Sequence, residues 1–267
     1  MRIFLASFRK LVRRPATWVT MLLLIGLLVL VYLAVGATAK EAASRPGGQN
    51  ALLLLTFPGA YLLVLSFILG LGGLLAVIYG AAIAGSEWSW GMLKVAVARG
   101  EGRSRYMLLS FLAIAVMAGV GLVIAFAIGV VAALAGAGLA GVSTGGLGDG
   151  PTLQALPEQL ARGWIAIIEE AALGFAVATI ARSQLAGVGV GIALYFGEQF
   201  AGLFLPDIVK YLPFQAASAV VAVGENVSSQ QIVRSLEPNT ALIVVAAWLI
   251  GALLVASLVT ERAEIGG

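Results

Sequence analysis

The chain has 267 residues, 61% of them hydrophobic and 11% charged, with a mean hydropathy of +1.03, a composition that predicts an integral membrane protein. Its net charge of +3 comes from basic residues gathered at the ends of apolar runs instead of along one stripe, which argues against nucleic acid as a partner. Cysteine and histidine are both absent, which excludes disulfides, thiolate or imidazole metal sites and Ser-His catalysis. No P-loop pattern occurs, and none of Lys10, Lys40, Lys94 and Lys210 follows a glycine, so ATP is not bound by a P-loop of this chain.

The first predicted element is an amphipathic helix over residues 1–15. Phe4, Phe8, Leu11 and Val12 recur at helical spacing, with Arg2, Arg9, Lys10, Arg13 and Arg14 largely opposite, the pattern of a helix lying flat on the cytoplasmic leaflet. Pro15 ends it and turns the chain into the first span. The basic run is itself amphipathic and no A-x-A site follows at the proper distance, so a cleavable signal peptide is not expected.

A span needs about 20 apolar residues, and six segments are predicted to qualify: Trp18–Val35, Gly59–Ala84, Tyr106–Gly136, Gly163–Ala181, Leu185–Leu205 and Ala241–Val259. Between the second and third lies a polar break, Gly85–Arg105. It reads as a short amphipathic helix with Trp88, Met92, Val95 and Ala96 on one side. Glu87, Lys94, Arg99, Glu101, Arg103 and Arg105 keep it out of lipid. The Gly-rich stretch Ala137–Ala161, with Pro151 and Pro157, is predicted as a flexible external connection. Within 206–238 the apolar run Ile208–Val223, interrupted by Pro213, is too short to span and reads as a re-entrant or interfacial hairpin.

Lys and Arg divide eleven against five between the two sides of this arrangement, which puts both termini and Gly85–Arg105 in the cytoplasm. No internal repeat is visible, since the two halves differ in loop pattern. That weakens folds built on inverted repeats.

Three acids fall within spans: Glu169, Glu170 and Glu198. A carboxylate there costs about 2.5–3.5 kcal/mol on insertion scales and normally faces protein or water. They are expected in the outer third of the membrane, either lining a pathway for a cationic substrate or ion or paired with Arg162 or Lys210. In the fifth span Gly187 and Gly191 form a G-x-x-x-G that allows close helix approach, with a dimer or packing inside one protomer as the two readings. Gly70, Gly72 and Gly73 carry the same ambiguity.

Taken together, the N-terminal helix, the six spans, the helix after span 2 and the broken hairpin before span 6 resemble an ABC type-2 permease, the transmembrane subunit of an ATP-binding-cassette exporter. The local signatures are Glu87, Gly91, Leu93-Lys94 and Ser104-Arg105, and in the hairpin Leu212-Pro213-Phe214. Met92 stands where many members have Thr, Arg99-Gly100-Glu101-Gly102 replaces a proline-containing turn, and Ser110 sits where Lys is common.

The resemblance implies an all-α permease domain over 1–267, with an elbow helix at 1–15, a coupling helix at 85–105 and an external hairpin at 206–238. It implies a homodimer or heterodimer in the cell membrane, with the fifth span and Gly187 and Gly191 near the dimer axis. It implies docking on a separate ATPase subunit, which carries the ATP and Mg, through Glu87, Trp88, Trp90, Met92, Leu93 and Lys94. No catalytic residue, metal or cofactor is expected in this chain. The competing expectation is a standalone ion-coupled carrier or channel that uses Glu169, Glu170 and Glu198.

Overall fold

A computed structural model describes residues 2–43, 52–221 and 236–263. Every regular element among them is helical: α1 (Arg2–Arg13), α2 (Pro15–Ala43), α3 (Gly59–Ser89), α4 (Met92–Ala98), α5 (Arg103–Ala140), α6 (Gly150–Ala181), α7 (Gln184–Gly202), α8 (Pro206–Val209), α9 (Pro213–Ala219) and α10 (Pro238–Arg262), with a 3-10 turn at Gly145–Gly148. By length and composition α3, α5, α6, α10 and the Pro15–Ala39 part of α2 can cross a membrane. The expected fifth span is the 19-residue helix α7, which falls outside this set. Gln184, Glu198, Gln199 and its glycines dilute its apolar content.

α6 packs on α3, α7, α9 and α10, while α2 lies along α5. The α3–α6 contact is close because glycines face backbone in both directions. A Cβ on Gly80 would strike the Ala171 carbonyl, and one on Gly174 the Val77 carbonyl. Close approach of this kind substitutes for a hydrophobic driving force between helices in lipid.

Pro15 does begin α2 after the single residue Arg14, and the corner is tied by Thr17 Oγ1 donating to the Leu11 carbonyl at 2.7 Å. The apolar face of α1, however, turns mainly to protein instead of lipid. Phe4, Phe8 and Leu11 join a cluster with Met107, Phe111 and Ile114 of α5, and Leu11 is fully covered; Leu5 and Val12 face outward. The N-terminal part of α5 offers apolar area to α1, and burial there removes it from water without a lipid surface.

The polar break is not one helix. α3 runs on to Ser89; Gly91, in the left-handed region at φ 63°, then turns the chain into the seven-residue α4. Gly100, at φ 83°, reverses it again before α5. Trp88 therefore belongs to α3, and the buried side of α4 is Leu93 and Ala96, with Val95 exposed. Helical periodicity assumed across a left-handed glycine puts the wrong residues on the inner face.

The stretch expected as a flexible connection is largely helical, since α5 continues to Ala140 and α6 starts at Gly150. Asp149 caps α6: its Oδ2 accepts from Thr152 N at 3.1 Å and from Thr152 Oγ1 at 2.6 Å, with Pro151 in the first turn where no N–H is needed. Pro157 sits inside the helix on an exposed side. Of the expected hairpin, α8 and α9 lie among the described residues, and 222–235 lie outside them.

Candidate functional site

Two groups of side chains stand out. The first gathers where α1, the end of α3, α4 and the start of α5 meet. Lys10 Nζ donates to Glu87 Oε1, and Tyr106 Oη donates to Glu87 Oε2 at 2.6 Å. One carboxylate thus ties three elements, in surroundings that leave Glu87 only 3% exposed. Arg14 Nη1 donates to Ser86 Oγ at 2.9 Å, and Thr17 and Tyr79 share a hydroxyl hydrogen bond at 2.7 Å. The Arg14 guanidinium lies 4.7 Å from the Trp90 ring centroid and Lys10 Nζ lies 5.8 Å from it, while Arg182 stands 5.2 Å over Trp88. These are cation–π distances.

The expected docking residues divide accordingly. Glu87 and Leu93 are buried within the chain and Trp88 is half-buried under Arg182. Trp90 is 64% exposed, Lys94 is exposed and Met92 is half-buried. Glu87 is removed from the outer surface because Lys10, 77 positions earlier, supplies its counter-charge, a pairing that no local pattern contains. α1, α4 and the first turn of α5 enclose a groove of about 490 Å³, lined by Ile3, Lys10, Met92, Val95, Arg99 and Tyr106 among others. Sequence reasoning missed Lys10, Arg14 and Tyr106 as members of this group. The only signal was a basic residue on the α1 side away from its apolar face.

The second group is the acids. Glu169 and Glu170 lie twelve and eleven residues from Ala181, hence about 18 and 16 Å along the helix axis. Both oxygens of Glu169 and Oε2 of Glu170 are buried without a hydrogen-bond partner, and Glu169 is 0% exposed. Glu198 is engaged: its Oε2 accepts from the Gln215 backbone N–H at 3.1 Å, in the first turn of α9.

The expected basic partners are committed elsewhere. Arg162 pairs with Glu158 at 2.8 Å and reaches Asn239 at 2.7 Å, and Lys210 pairs with Asp207 at 3.3 Å. Neither the groove nor a smaller apolar cavity of about 100 Å³ between α2, α3 and α5 is lined by Glu169, Glu170 or Glu198. Among the described residues no group of His, Cys, Asp and Glu is placed to hold a metal ion.

Gly187 and Gly191 face inward. A Cβ on Gly187 would meet Ala178 and Ala81, and one on Gly191 would meet Val77, so their close packing is within one protomer. The outward face of α7 carries Leu185, Gly189, Ala193, Phe196, Gly197 and Phe200 instead. The G-x-x-x-G spacing was legible in the sequence, but which side of the helix meets its own chain was not.

Among the described residues, fold and site together define an all-helical protein with five helices able to cross a membrane, a tied helix cluster at one end and unpartnered acids in its interior. No family model matches the chain, and no curated protein does.

Proposed function

We propose that the chain is the permease subunit of an ATP-binding-cassette exporter, a six-span protein of the cell membrane with both termini cytoplasmic. It works as a homodimer or heterodimer and is driven by a separate ATPase subunit that binds ATP and Mg. The observation that carries this reading is α4. It is a short helix held outside the apolar part of the bundle, joined to the long helices α3 and α5 by left-handed glycines at Gly91 and Gly100 and packed on both of them. A helix mounted in this way transmits a push to two candidate spans at once. Trp90, Met92 and Lys94 are the side chains it offers to a partner. Glu87 and Leu93 hold it in place, and Trp88 contributes from under Arg182.

On this reading the substrate path runs between two protomers, and the outward face of α7, with small residues Gly189, Ala193 and Gly197, suits close approach of a second copy. The second reading, an ion-coupled carrier, is favoured by a specific observation: the unpartnered Glu169 and Glu170.

Co-expression with a candidate ATP-binding-cassette ATPase subunit, followed by affinity purification, tests the first reading. Changing Trp90 to Ala and Lys94 to Glu together should abolish co-purification and leave the permease folded. Undiminished assembly and substrate-stimulated ATP hydrolysis in that variant would remove α4 as the docking element. Transport that proceeds without any ATPase but with an ion gradient would establish the second reading.

A further inference from the structure

Glu169 and Glu170 are carboxylates with no ion-pair partner among the described residues. Both oxygens of Glu169 and one of Glu170 are buried and accept no hydrogen bond among the described residues. The four ion pairs found there, Lys10–Glu87, Arg105–Glu101, Arg162–Glu158 and Lys210–Asp207, leave both acids out.

No element packed against them offers a base near their level. α7 contributes a third acid, Glu198, and Tyr195, whose hydroxyl donates to the Gly70 carbonyl at 3.2 Å. On α3 the titratable side chain within two turns of Gly73 is Tyr79, shared with Thr17. α9 has none, α10 has none before Glu261, and α5 has none after Tyr106. Two adjacent negative charges in such surroundings would pay full desolvation with no compensating cation, far more than a neutral carboxyl pays for an unmet hydrogen bond.

Geometry adds a mechanical link. Glu170 seats its carboxylate directly on Gly73 of α3, in the space a Cβ would fill. The seat exists because position 73 is glycine, so the carboxyl group and the α3 backbone are in contact without an intervening side chain.

We propose that Glu169 and Glu170 form a proton-binding site in the membrane interior, each carboxylate holding one proton while α3 and α6 are packed and releasing it to water when they part. Each step is a proton transfer, carboxylate plus proton to carboxylic acid and back, with no other bond changed. α3 leads directly to Ser86, Glu87 and α4, so proton release and movement at the α1 end act on one helix. The inference does not rest on an ATPase partner and would hold for either reading above.

Infrared spectroscopy of the full chain in lipid nanodiscs, with exchange into deuterated water, tests it. The carbonyl stretch of protonated carboxyl groups should be present, should shift on deuteration, and should decline as bulk pH is raised. E169Q and E170Q should each lose a share of that band, and the double variant both shares. Gln matches Glu in shape and removes no partner, so thermal unfolding should be unchanged or raised. A band identical in wild type and double variant would overturn the proposal, as would a band constant over the whole pH range in which the protein stays folded. Should the double variant not fold, the two single variants carry the same test, and loss of carboxylate instead of carboxyl absorption in them would equally overturn it.

Discussion

Lys10 and Glu87 are joined across 77 positions by a direct ion pair, and the same carboxylate accepts the Tyr106 hydroxyl at 2.6 Å. Three helices, α1, α3 and α5, are therefore held by one side chain. Replacing Glu87 by Ala deprives a half-buried hydroxyl and a half-buried ammonium of this acceptor, and should cost about 1–3 kcal/mol. Thermal unfolding of K10A, E87A and the double variant measures it. The double variant should be less destabilised than the sum of the singles, because the pair is lost together. Strict additivity would mean that the contact contributes nothing.

Gly73 and Glu170 form a second coupled pair. A methyl group at position 73 would overlap the Glu170 carboxylate, so G73A should destabilise by about 1–3 kcal/mol, the usual cost of overpacking. E170A vacates that space and should rescue most of it. Equal destabilisation by G73A in the wild-type and E170A backgrounds would contradict the contact.

On α7 the two faces separate stability from association. G191L forces a side chain into Val77 and should lower the unfolding temperature, whereas G189L, with nothing within 4 Å of its Cβ position, should not. If two copies meet through the outward face, G189L should instead weaken cross-linking between protomers. Unaltered cross-linking would place the dimer contact on another helix.

Asp149 should make stability depend on acid pH. The Thr152 hydroxyl and then the Thr152 backbone N–H hold its carboxyl below the usual carboxylate range. A lowered value in the folded chain means that the cap stabilises fully above the unfolded-state pKa and is lost as pH falls through the folded one. Unfolding temperatures of wild type and D149A should differ at neutral pH and converge under acid. A gap that persists at low pH would show that the cap does not depend on ionisation.

Most of the helices were legible in the sequence, because apolar length sets a span and Pro15 marks where the first begins; Pro151, read as part of a flexible connection, instead opens α6, and Gly91 and Gly100 break what was read as one helix. The side each helix turns inward was less so. Phe4, Phe8 and Leu11 satisfy a lipid surface and a protein groove equally well, and only the position of Met107, Phe111 and Ile114 decides between them. Helical spacing placed Trp88, Met92, Val95 and Ala96 on one side, but Gly91 resets the phase, and the buried side of α4 is Leu93 together with Ala96.

By itself the sequence determined that this is a helical membrane protein without cysteine or histidine chemistry, since composition and hydropathy act along the chain and need no neighbours. Tertiary structure alone decided that Glu87 is a buried tie, that Glu198 holds α9 and that Glu169 and Glu170 have no ion-pair partner among the described residues. A carboxylate's role is set by the donors brought within about 3 Å of it. Those donors come from other helices, Lys10 and Tyr106 for one acid and the Gln215 N–H for another.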